Sequence, residues 1–444
     1  MERKTTRPRL VQAMMDIWAL PDLRRKILFT VGILVVFRFI AHVPLPGVDL
    51  AALREYFGTS PLFGMLDLFT GGAMEKFSVA ALGVYPYITA SIIMQLLVPV
   101  IPSLQAISQE GELGQQRINR ITHLATIPLA ALQGYAMIAL LRSQGVTVEA
   151  LGPLTMTNIL ITMIAGTMFL VWLGELITER GVGNGISIII FAGIVTDLPS
   201  IVGRGISEAR TGSPEGLIAY IVLILVMVVL IVIFVEAHRR IPVQYARSTF
   251  RGGRMYRQSG STYIPLRVNT AGMIPLIFAI AMMQLPGTIA TYFMNPGTED
   301  PNFWNSVYNI FQANTVLYNG LYFALVIGFT LFYTMVIFEQ MNLPQTLQQQ
   351  GGFIPGVRPG KATADYLNGI IRRITFGGAL YLAVVAILPF LGQKIVQVIA
   401  GEVTTTQALG VQSTAMLIAV GVALDTMKQL EAQLTMRRYE GFLK

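Results

Sequence analysis

Ten long apolar stretches dominate this 444-residue chain and limit what it can fold into. Each has close to the roughly 17–25 apolar residues that a helix needs to cross a lipid bilayer. Only 13% of the residues are charged, whereas a soluble globular chain carries about 25%. Because lipid offers no partner for unpaired backbone amides, such stretches must be helical. The sequence therefore predicts an all-α polytopic membrane protein with ten transmembrane helices, at residues 27–43, 77–98, 121–141, 155–174, 186–203, 217–235, 271–293, 316–338, 374–391 and 413–430.

The placement of positive charge predicts the orientation of these helices. Most of the 32 lysine and arginine residues fall in segments on the same side of the membrane as the N-terminal tail. In membrane proteins the cytoplasmic loops carry the excess of positive charge. Since an even number of crossings returns the chain to the side where it started, we expect both termini to face the cytoplasm.

The chain divides near residues 205–216 into two blocks of five apolar stretches. An odd number of crossings per block gives the second block the opposite orientation, and inverted halves with a pathway between them recur in transport proteins. We therefore expect an N-terminal half at 1–205 and a C-terminal half at 206–444. The second half carries two long basic cytoplasmic loops, and loops of such length often carry function; these loops are residues 236–268 and 339–373.

The ionisable residues help to separate three classes of membrane protein. A proton- or sodium-coupled transporter usually places a carboxylate or histidine near the midplane. Arg38 and Asp425 lie within apolar stretches, whereas most of the other ionisable residues of this chain lie near the ends of the stretches or between them. A membrane enzyme would need a converging polar cluster, whereas Glu175 and Glu179 lie at the membrane edge. A pathway lined by aliphatic side chains is therefore favoured over a secondary transporter built from inverted repeats, and a membrane enzyme ranks last.

No cofactor or metal site is expected from the residue types and their spacing. The chain has no cysteine, and His42, His123 and His238 are scattered without the spacing of metal ligands. The glycine-rich run at 181–185 lacks the Lys-Ser/Thr ending of a nucleotide-binding loop and follows no strand. A tight connection between two helices, which requires a positive φ angle, explains this run better.

Two segments carry a more specific signal. Residues 172–190 read WLGELITERGVGNGISIII, and residues 82–91 read LGVYPYITAS. Both resemble signatures of the SecY family, the central subunits of bacterial protein-conducting channels, and the resemblance extends over essentially the whole chain. It implies a clamshell of ten helices around an hourglass pore. It also implies that unfolded secretory polypeptides cross the membrane through this pore, that apolar segments leave it sideways into lipid, and that the chain is not an enzyme.

The same resemblance implies partners and a location. Members of this family work with the small membrane subunits SecE and SecG and are embedded in the lipid bilayer. Their substrates are polypeptides that carry a signal sequence. They use the ATPase SecA after translation, or a docked ribosome during translation, so that no ATP site is expected in this chain. The implied location is the bacterial plasma (inner) membrane.

The resemblance also selects candidates for a pore constriction. A given isoleucine in a membrane span usually faces lipid or a neighbouring helix, so the residue type alone selects nothing. Matched to the SecY pattern, five residues resemble the constriction ring, namely Val84, Ile88, Ile190, Ile277 and Ile418. Valine at position 84 replaces a common isoleucine but is also apolar and β-branched. A narrow apolar ring of this kind can close to ions by excluding water.

The segment between the first two stretches is unusual because it contains a short apolar run, at residues 62–69. Ser60-Pro61 is a plausible helix cap, and two helical turns after it could not cross the membrane. An external re-entrant or surface helix is one interpretation. By the resemblance, residues 62–74 form instead a plug that occupies the external funnel, with Leu62, Phe63, Met65, Leu66, Leu68 and Phe69 in it and Gly71 and Gly72 as its swivel.

A lateral gate is implied between the second and the seventh stretch. Pro86 and Pro275 lie at corresponding positions in them, and each is expected to interrupt helical hydrogen bonding within its span. Bending of a helix in a lipid-embedded bundle is the simpler interpretation of these prolines. Polar residues matching the seam are Gln95 and Asn269, with Thr122 or Thr126 opposite.

Arginines in the two basic loops are candidates for contact with the motor or the ribosome. They could also be topology signals or contacts with anionic lipid, and arginine clusters suit RNA phosphates. The run Gly-Val-Arg-Pro-Gly around Arg358 resembles the SecY loop tip whose arginine serves the motor and the ribosome. Arg254, with Arg251 and Arg257, marks the tip of the other loop as a weaker candidate.

Overall fold

The fold is mostly helical. It is represented by a computed structural model, which describes residues 20–53, 67, 70–143, 152–211, 214–251, 254–268, 272–293, 302–311, 315–341, 343–400 and 406–440. Six helices begin before the predicted division of the chain: α1 (Pro21–Ile40), α2 (Tyr85–Leu97), α3 (Pro102–Gln109), α4 (Glu112–Ser143), α5 (Pro153–Arg180) and α6 (Gly185–Thr211). Seven follow it: α7 (Pro214–Glu236), α8 (Ile274–Phe293), α9 (Phe303–Ile310), α10 (Val316–Met341), α11 (Leu343–Gln349), α12 (Lys361–Ala400) and α13 (Thr406–Glu440).

Each of the ten predicted apolar stretches overlaps one of the longer helices, but their lengths differ. Among the described residues, four helices are long and apolar enough to cross a membrane. The number rises to five when α2 and α3, which meet at a bend of 98°, are counted as one crossing. The apolar parts of α6, α7 and α8 are shorter, at Gly185–Thr196, Ile221–Glu236 and Ile274–Gly287. The helical character of the stretches is thus observed, while ten complete crossings are not established by length and composition.

The prediction of an all-α chain is wrong in the first basic loop, which forms an antiparallel β-ribbon. Strand β1 (His238–Arg251) pairs along its whole length with β2 (Arg254–Arg267), and the short β3 (Gly352–Phe353) pairs with the other edge of β1. Burial alternates as in a half-buried strand, since Ile241 and Val243 are buried and Pro242 between them is exposed. A prediction based on long apolar runs misses a strand of this kind, because most of its residues are polar.

The two basic loops share a small hydrophobic core. It contains Ile241, Val243 and Leu266 from the ribbon together with Leu347, Ile354, Leu367 and Ile370 from the second loop and the start of α12. The loops predicted at 236–268 and 339–373 are therefore packed against each other rather than independent. This packing fixes the position of the second loop relative to the ribbon.

The two prolines expected to interrupt spans lie instead at helix starts. Pro86 is in the first turn of α2, because residues 71–84 run as a series of turns and the helix begins only at Tyr85. Pro275 is likewise the second residue of α8. Proline at such a position sacrifices no helical hydrogen bond, since the first amides of a helix have no intrahelical partner. The proline inside α8 is Pro286.

Two sets of contacts join the helices before the predicted division to those after it. On one side α6 contacts α7, its neighbour in the chain, and α13. On the other side α8 contacts α2 and α4, far away in sequence. We call this second set of contacts the seam. One large apolar cluster includes residues of α2, α6, α8 and α13, and so includes helices from both sets.

Candidate functional site

The five candidate ring residues all belong to the large apolar cluster. All are buried, with exposed fractions of 0% for Val84, 4% for Ile88, 1% for Ile190, 5% for Ile277 and 2% for Ile418. They are supplied by α2 with the turn before it, by α6, by α8 and by α13. We call these five residues the apolar centre. Aliphatic side chains offer water and ions no hydrogen bond, so an apolar centre between helices can act as a seal.

Local geometry explains how α2 contributes two of these residues. Val84 stands at the N-cap of α2, and its carbonyl accepts a hydrogen bond from the Ile88 amide at 3.1 Å. Residues four apart lie on the same helical face, so Val84 and Ile88 are stacked along one side of α2. The start of α2 therefore contributes two stacked side chains to the large apolar cluster.

The connection between α5 and α6 sets the position of Ile190. Gly183 in this connection has a φ angle of 79°, which confirms the prediction of a tight helix–helix turn with a positive φ. The Asn184 side chain accepts a hydrogen bond from the Ser187 amide at 3.1 Å and so caps α6. The Thr30 hydroxyl of α1 accepts another from the Val182 amide at 3.2 Å. The turn thus fixes the start of α6 against α1.

The predicted swivel of the plug is held by an arginine from α1. Of the plug candidates, Leu62, Phe63, Met65, Leu66, Leu68 and Phe69 lie outside the described residues, whereas Gly71 and Gly72 are described and buried. A guanidinium nitrogen of Arg38 donates to the Gly71 carbonyl at 2.6 Å. Gly71 has a φ angle of 67°, and a Cβ there would come within 2.7 Å of the Gly193 Cα atom in α6. Only glycine fits this position without displacing α6.

Asp67 fastens the same segment from the other side. One carboxylate oxygen accepts hydrogen bonds from the amides of Met74 at 3.0 Å and Glu75 at 3.1 Å, and from the Thr70 hydroxyl at 3.0 Å. A carboxylate accepting several such bonds holds a turn more firmly than neutral acceptors do. The end of the predicted plug is therefore a closed, hydrogen-bonded turn.

The turns at 71–84 are attached to the chain that leaves α1. Val79 donates to the Val43 carbonyl at 3.0 Å and Leu45 to the Phe77 carbonyl at 2.8 Å. Phe77 is buried and has a φ angle of 43°, a left-handed conformation that is costly for a residue other than glycine. The surrounding hydrogen bonds compensate for this strain, so the backbone between the plug segment and α2 is strongly determined.

The polar residues predicted for the lateral gate bond within their own helices. Thr122 donates to the Ile118 carbonyl at 2.9 Å and Thr126 to the Thr122 carbonyl at 2.8 Å. The Gln95 amide nitrogen lies 3.3 Å from the Ser91 hydroxyl. Asn269 lies outside the described residues. The described members therefore lie on α2 and α4, which border the seam, but their hydrogen bonds do not cross it.

A hydrogen bond that does cross the seam comes from a residue that sequence reasoning missed. The Tyr85 hydroxyl at the start of α2 donates to the Ala281 backbone carbonyl of α8 at 3.1 Å. Tyr85 was visible in the 82–91 run, and a buried tyrosine hydroxyl usually finds a partner. Its acceptor is a backbone atom, however, which no side-chain pattern can reveal.

His123 of α4 and Glu175 of α5, which no pattern in the sequence pairs, lie close together. Nε2 of His123 lies 3.0 Å from a carboxylate oxygen of Glu175, and the Tyr87 ring of α2 lies 5.6 Å from the imidazole. Three neighbouring helices therefore meet at this polar contact. Within the described residues no group of three histidine, cysteine, aspartate or glutamate side chains is arranged to hold a metal.

The candidate loop arginines occupy two separate tips. Arg358 is exposed, and its carbonyl accepts a hydrogen bond from the Thr363 hydroxyl at 2.8 Å, which fixes the loop to the start of α12. In the ribbon, Arg251 pairs with Arg254, and Arg257 pairs with Ser248, so these three backbone positions lie at the far end. A 14-residue strand extends roughly 45 Å. The ribbon therefore carries its tip well away from the helices.

Taken together, long apolar helices, a buried apolar centre and basic connections on one side define a polytopic membrane protein with a central apolar contact region. The sequence model of the SecY family matches residues 78–427. The protein translocase subunit SecY of Mycobacterium bovis is 41% identical over 440 residues, covering 95% of this chain and 97% of the relative. The chain belongs to the SecY family.

Solved structures share the fold at low sequence identity. One is a SecY protein whose plug domain stabilises the closed state of the translocation channel and maintains a membrane seal. Another is Sec61 in the canine ribosome–channel complex from the endoplasmic reticulum. Each has a TM-score of 0.64 and 17% identity, with 92% of both chains covered.

Proposed function

We propose that this chain is the channel subunit through which unfolded secretory polypeptides cross the plasma membrane of a bacterium. The observation that carries this proposal is the apolar centre, to which the helices on both sides of the predicted division contribute. An extended peptide can pass between aliphatic side chains that fit closely around it. Hydrated ions cannot do so without losing their water.

We propose further that ten helices cross the membrane in two inverted halves, 1–205 and 206–444, with both termini in the cytoplasm. The overlap of each predicted stretch with a helix supports this arrangement. So do the two sets of contacts, since the chain connection at α6–α7 lies on one side and the seam on the other. Such a clamshell can open at the seam while the connected side acts as a hinge.

The plug and the apolar centre together form the closed barrier in this proposal. Residues 62–74 occupy the external funnel, and their end is held by Arg38 and by the carboxylate of Asp67. Displacement of the plug requires these hydrogen bonds to break or to rearrange around Gly71 and Gly72. A passing chain then replaces the plug, and the aliphatic side chains close around it.

The seam serves as the lateral gate. Apolar segments of a polypeptide leave the channel where α2 and α4 meet α8, and they enter the surrounding lipid. Gln95, Thr122, Thr126 and Asn269 belong to this region in the proposal, because the described ones lie on helices that border the seam. Their hydroxyl and amide groups can exchange partners as the helices separate.

The partners are inferred from the family and from the basic loops. The small subunits SecE and SecG complete the channel in the membrane, and SecA or a ribosome delivers the polypeptide. Arg358 and the ribbon tip with Arg251, Arg254 and Arg257 are the proposed contacts, because Arg358 is exposed and the ribbon extends away from the helices. Arginine is suited both to carboxylates of a protein partner and to RNA phosphates.

Site-specific crosslinking tests the proposal. The chain has no cysteine, so a single Ile190→Cys substitution provides one thiol at the apolar centre. A preprotein with one cysteine, stalled in membranes that contain the complete translocation complex, should form a disulfide with this position. Leu154→Cys on α5 is the matched control, since Leu154 is 77% exposed on the outside of the helix bundle. Equal crosslinking at both positions, or none at Ile190→Cys, would contradict a path through the apolar centre.

A further inference from the structure

The seam is held together by packing and by a hydrogen bond with an unusual location. The Tyr85 hydroxyl donates to the Ala281 carbonyl across 3.1 Å, from the start of α2 to the middle of α8. The exposed fractions of the two residues are 8% and 2%. No covalent link joins the helices on this side, whereas α6 and α7 are neighbours in the chain on the other side. A bond across the seam therefore resists its separation directly.

The same bond is next to the apolar centre. Tyr85 directly follows Val84, and Ala281 lies four residues, about one helical turn, beyond Ile277. Each of the two helices thus carries a candidate ring residue close in sequence to a partner of the hydrogen bond. Separation of the seam at the level of the ring breaks the Tyr85–Ala281 bond.

We propose that the Tyr85 hydroxyl is a latch that holds the lateral gate closed and sets how apolar a signal sequence must be to open it. This inference rests on the proposed channel function. When α2 moves away from α8, the hydroxyl leaves the Ala281 carbonyl and enters surroundings that consist largely of lipid and apolar side chains. A polar group buried without a partner is costly. The bond therefore favours the closed arrangement, and a signal sequence must overcome it by its own apolar contacts.

The chain contains a matched bond away from the seam, within the proposed C-terminal half. The Tyr381 hydroxyl of α12 donates to the Leu230 carbonyl of α7 at 2.8 Å, and both helices belong to the C-terminal half. Donor, acceptor type and interhelical character are the same as for Tyr85. Tyr85→Phe and Tyr381→Phe therefore remove the same chemical group, and only the first removes it from the seam.

Single-channel recording in planar bilayers compares the two variants. Interhelical hydrogen bonds of membrane proteins have modest strength, so Tyr85→Phe should raise the open probability of the idle channel about threefold, with about twentyfold as the upper end. In membranes with the complete translocation complex, the same variant should transport preproteins whose signal sequences contain fewer leucines than wild type accepts. Tyr381→Phe should match wild type in both assays.

The outcomes separate the latch from the proposed function. If wild type transports a preprotein but Tyr85→Phe and Tyr381→Phe have equal open probabilities and equal signal requirements, Tyr85 is not a latch. If wild type transports no preprotein in a complete complex, the channel function itself fails. Tyr85→Met keeps apolar bulk without a hydroxyl and must repeat the effect of phenylalanine. An effect of phenylalanine alone would indicate altered packing and would also overturn the inference.

Discussion

The bond between Arg38 and the Gly71 carbonyl allows the most demanding test of how the plug is held. Arg38 interrupts the apolar stretch that becomes α1, and a charge in that position is costly unless it has a partner. The structure supplies one, since the guanidinium reaches the carbonyl at 2.6 Å. We expect Arg38→Met, which keeps the length of the side chain without the charge, to release the end of the plug.

The expected size of the effect follows from the geometry of this bond. Hydrogen bonds to charged groups contribute about 1.5–3 kcal/mol in soluble proteins, whereas interhelical bonds in membranes average about 0.6 kcal/mol. Arg38 is half-buried and its bond is short, which favours a value between these two, about 1.4 kcal/mol. Such a loss raises the population with a displaced plug about tenfold.

Two measurements report on that population. The idle ion conductance in planar bilayers should rise about tenfold if conductance is proportional to plug displacement. In the cysteine-free chain, Leu68→Cys should be labelled faster by a membrane-impermeant maleimide added from the external side. Arg117→Met is the matched control, because Arg117 pairs with Glu110 at an exposed site at 3.0 Å and should change neither measurement.

Deletion of residues 62–70 decides whether Arg38 acts through the plug. The deletion alone should increase the leak of ions. In the deleted chain Arg38→Met should then add nothing further, because the segment that the bond restrains is gone. Additive increases would show that Arg38 affects the pore by another route. An unchanged conductance in Arg38→Met alone would refute the reasoning entirely.

Two other substitutions test separate parts of the structure. Arg358→Glu should strongly reduce SecA-driven preprotein transport, because it reverses an exposed charge proposed to face the motor. The thermal unfolding temperature of the purified complex should not change. Normal transport by this variant would remove Arg358 from the proposed contact. Thr30→Val should lower the free energy of unfolding by about 1 kcal/mol, since the Val182 amide loses its acceptor. Thr162→Val is its control, because that hydroxyl bonds within α5, to the Asn158 carbonyl. Equal destabilisation by both substitutions would indicate that the tie to Val182 contributes nothing measurable.

The sequence predicts the parts of this fold that depend on apolar length and on special backbone conformations. Each of the ten apolar stretches overlaps a helix, and the positive φ angle of Gly183 follows from a glycine run between two such stretches. The prediction of secondary structure is less accurate for segments whose structure does not depend on the length of an apolar run. The ribbon of β1 and β2 buries only every second residue near its base, as at Ile241 and Val243, and a search for long apolar runs cannot detect it.

Helix boundaries inside an apolar stretch also escape sequence reasoning. The stretch at 77–98 is apolar throughout, yet α2 begins only at Tyr85. The preceding residues pair with the chain after α1, as in the bond from Val79 to Val43, and these contacts override the tendency to continue the helix. Pro86 is compatible both with a helix that begins at Tyr85 and with a helix that runs through the whole stretch, because proline fits a helix start and also bends a helix interior.

The candidate ring, the Arg38 and Tyr85 hydrogen bonds and the loop tips differ in how far the sequence could identify them. The ring candidates come from the family resemblance, and their burial in one cluster follows from the fold. Arg38 was visible as an interruption, but its partner was not. Tyr85 was visible only as part of a run of apolar and aromatic residues. In both cases the acceptor is a backbone carbonyl, at Gly71 and at Ala281, which is present at every position of a chain and thus carries no sequence signal.

This use of backbone acceptors has a physical consequence for a channel of the proposed kind. An apolar centre provides a seal, but contacts between aliphatic side chains are nondirectional and hold no single arrangement against a competing apolar segment. Directional bonds at the plug end and at the seam add a preference for the closed state. Because the Arg38 and Tyr85 hydrogen bonds are individually modest, the preference that they add is small enough for a signal sequence to overcome. The bonds are also separate, one from α1 and one from α2, so Arg38→Met and Tyr85→Phe should raise channel opening by factors that multiply when the two substitutions are combined.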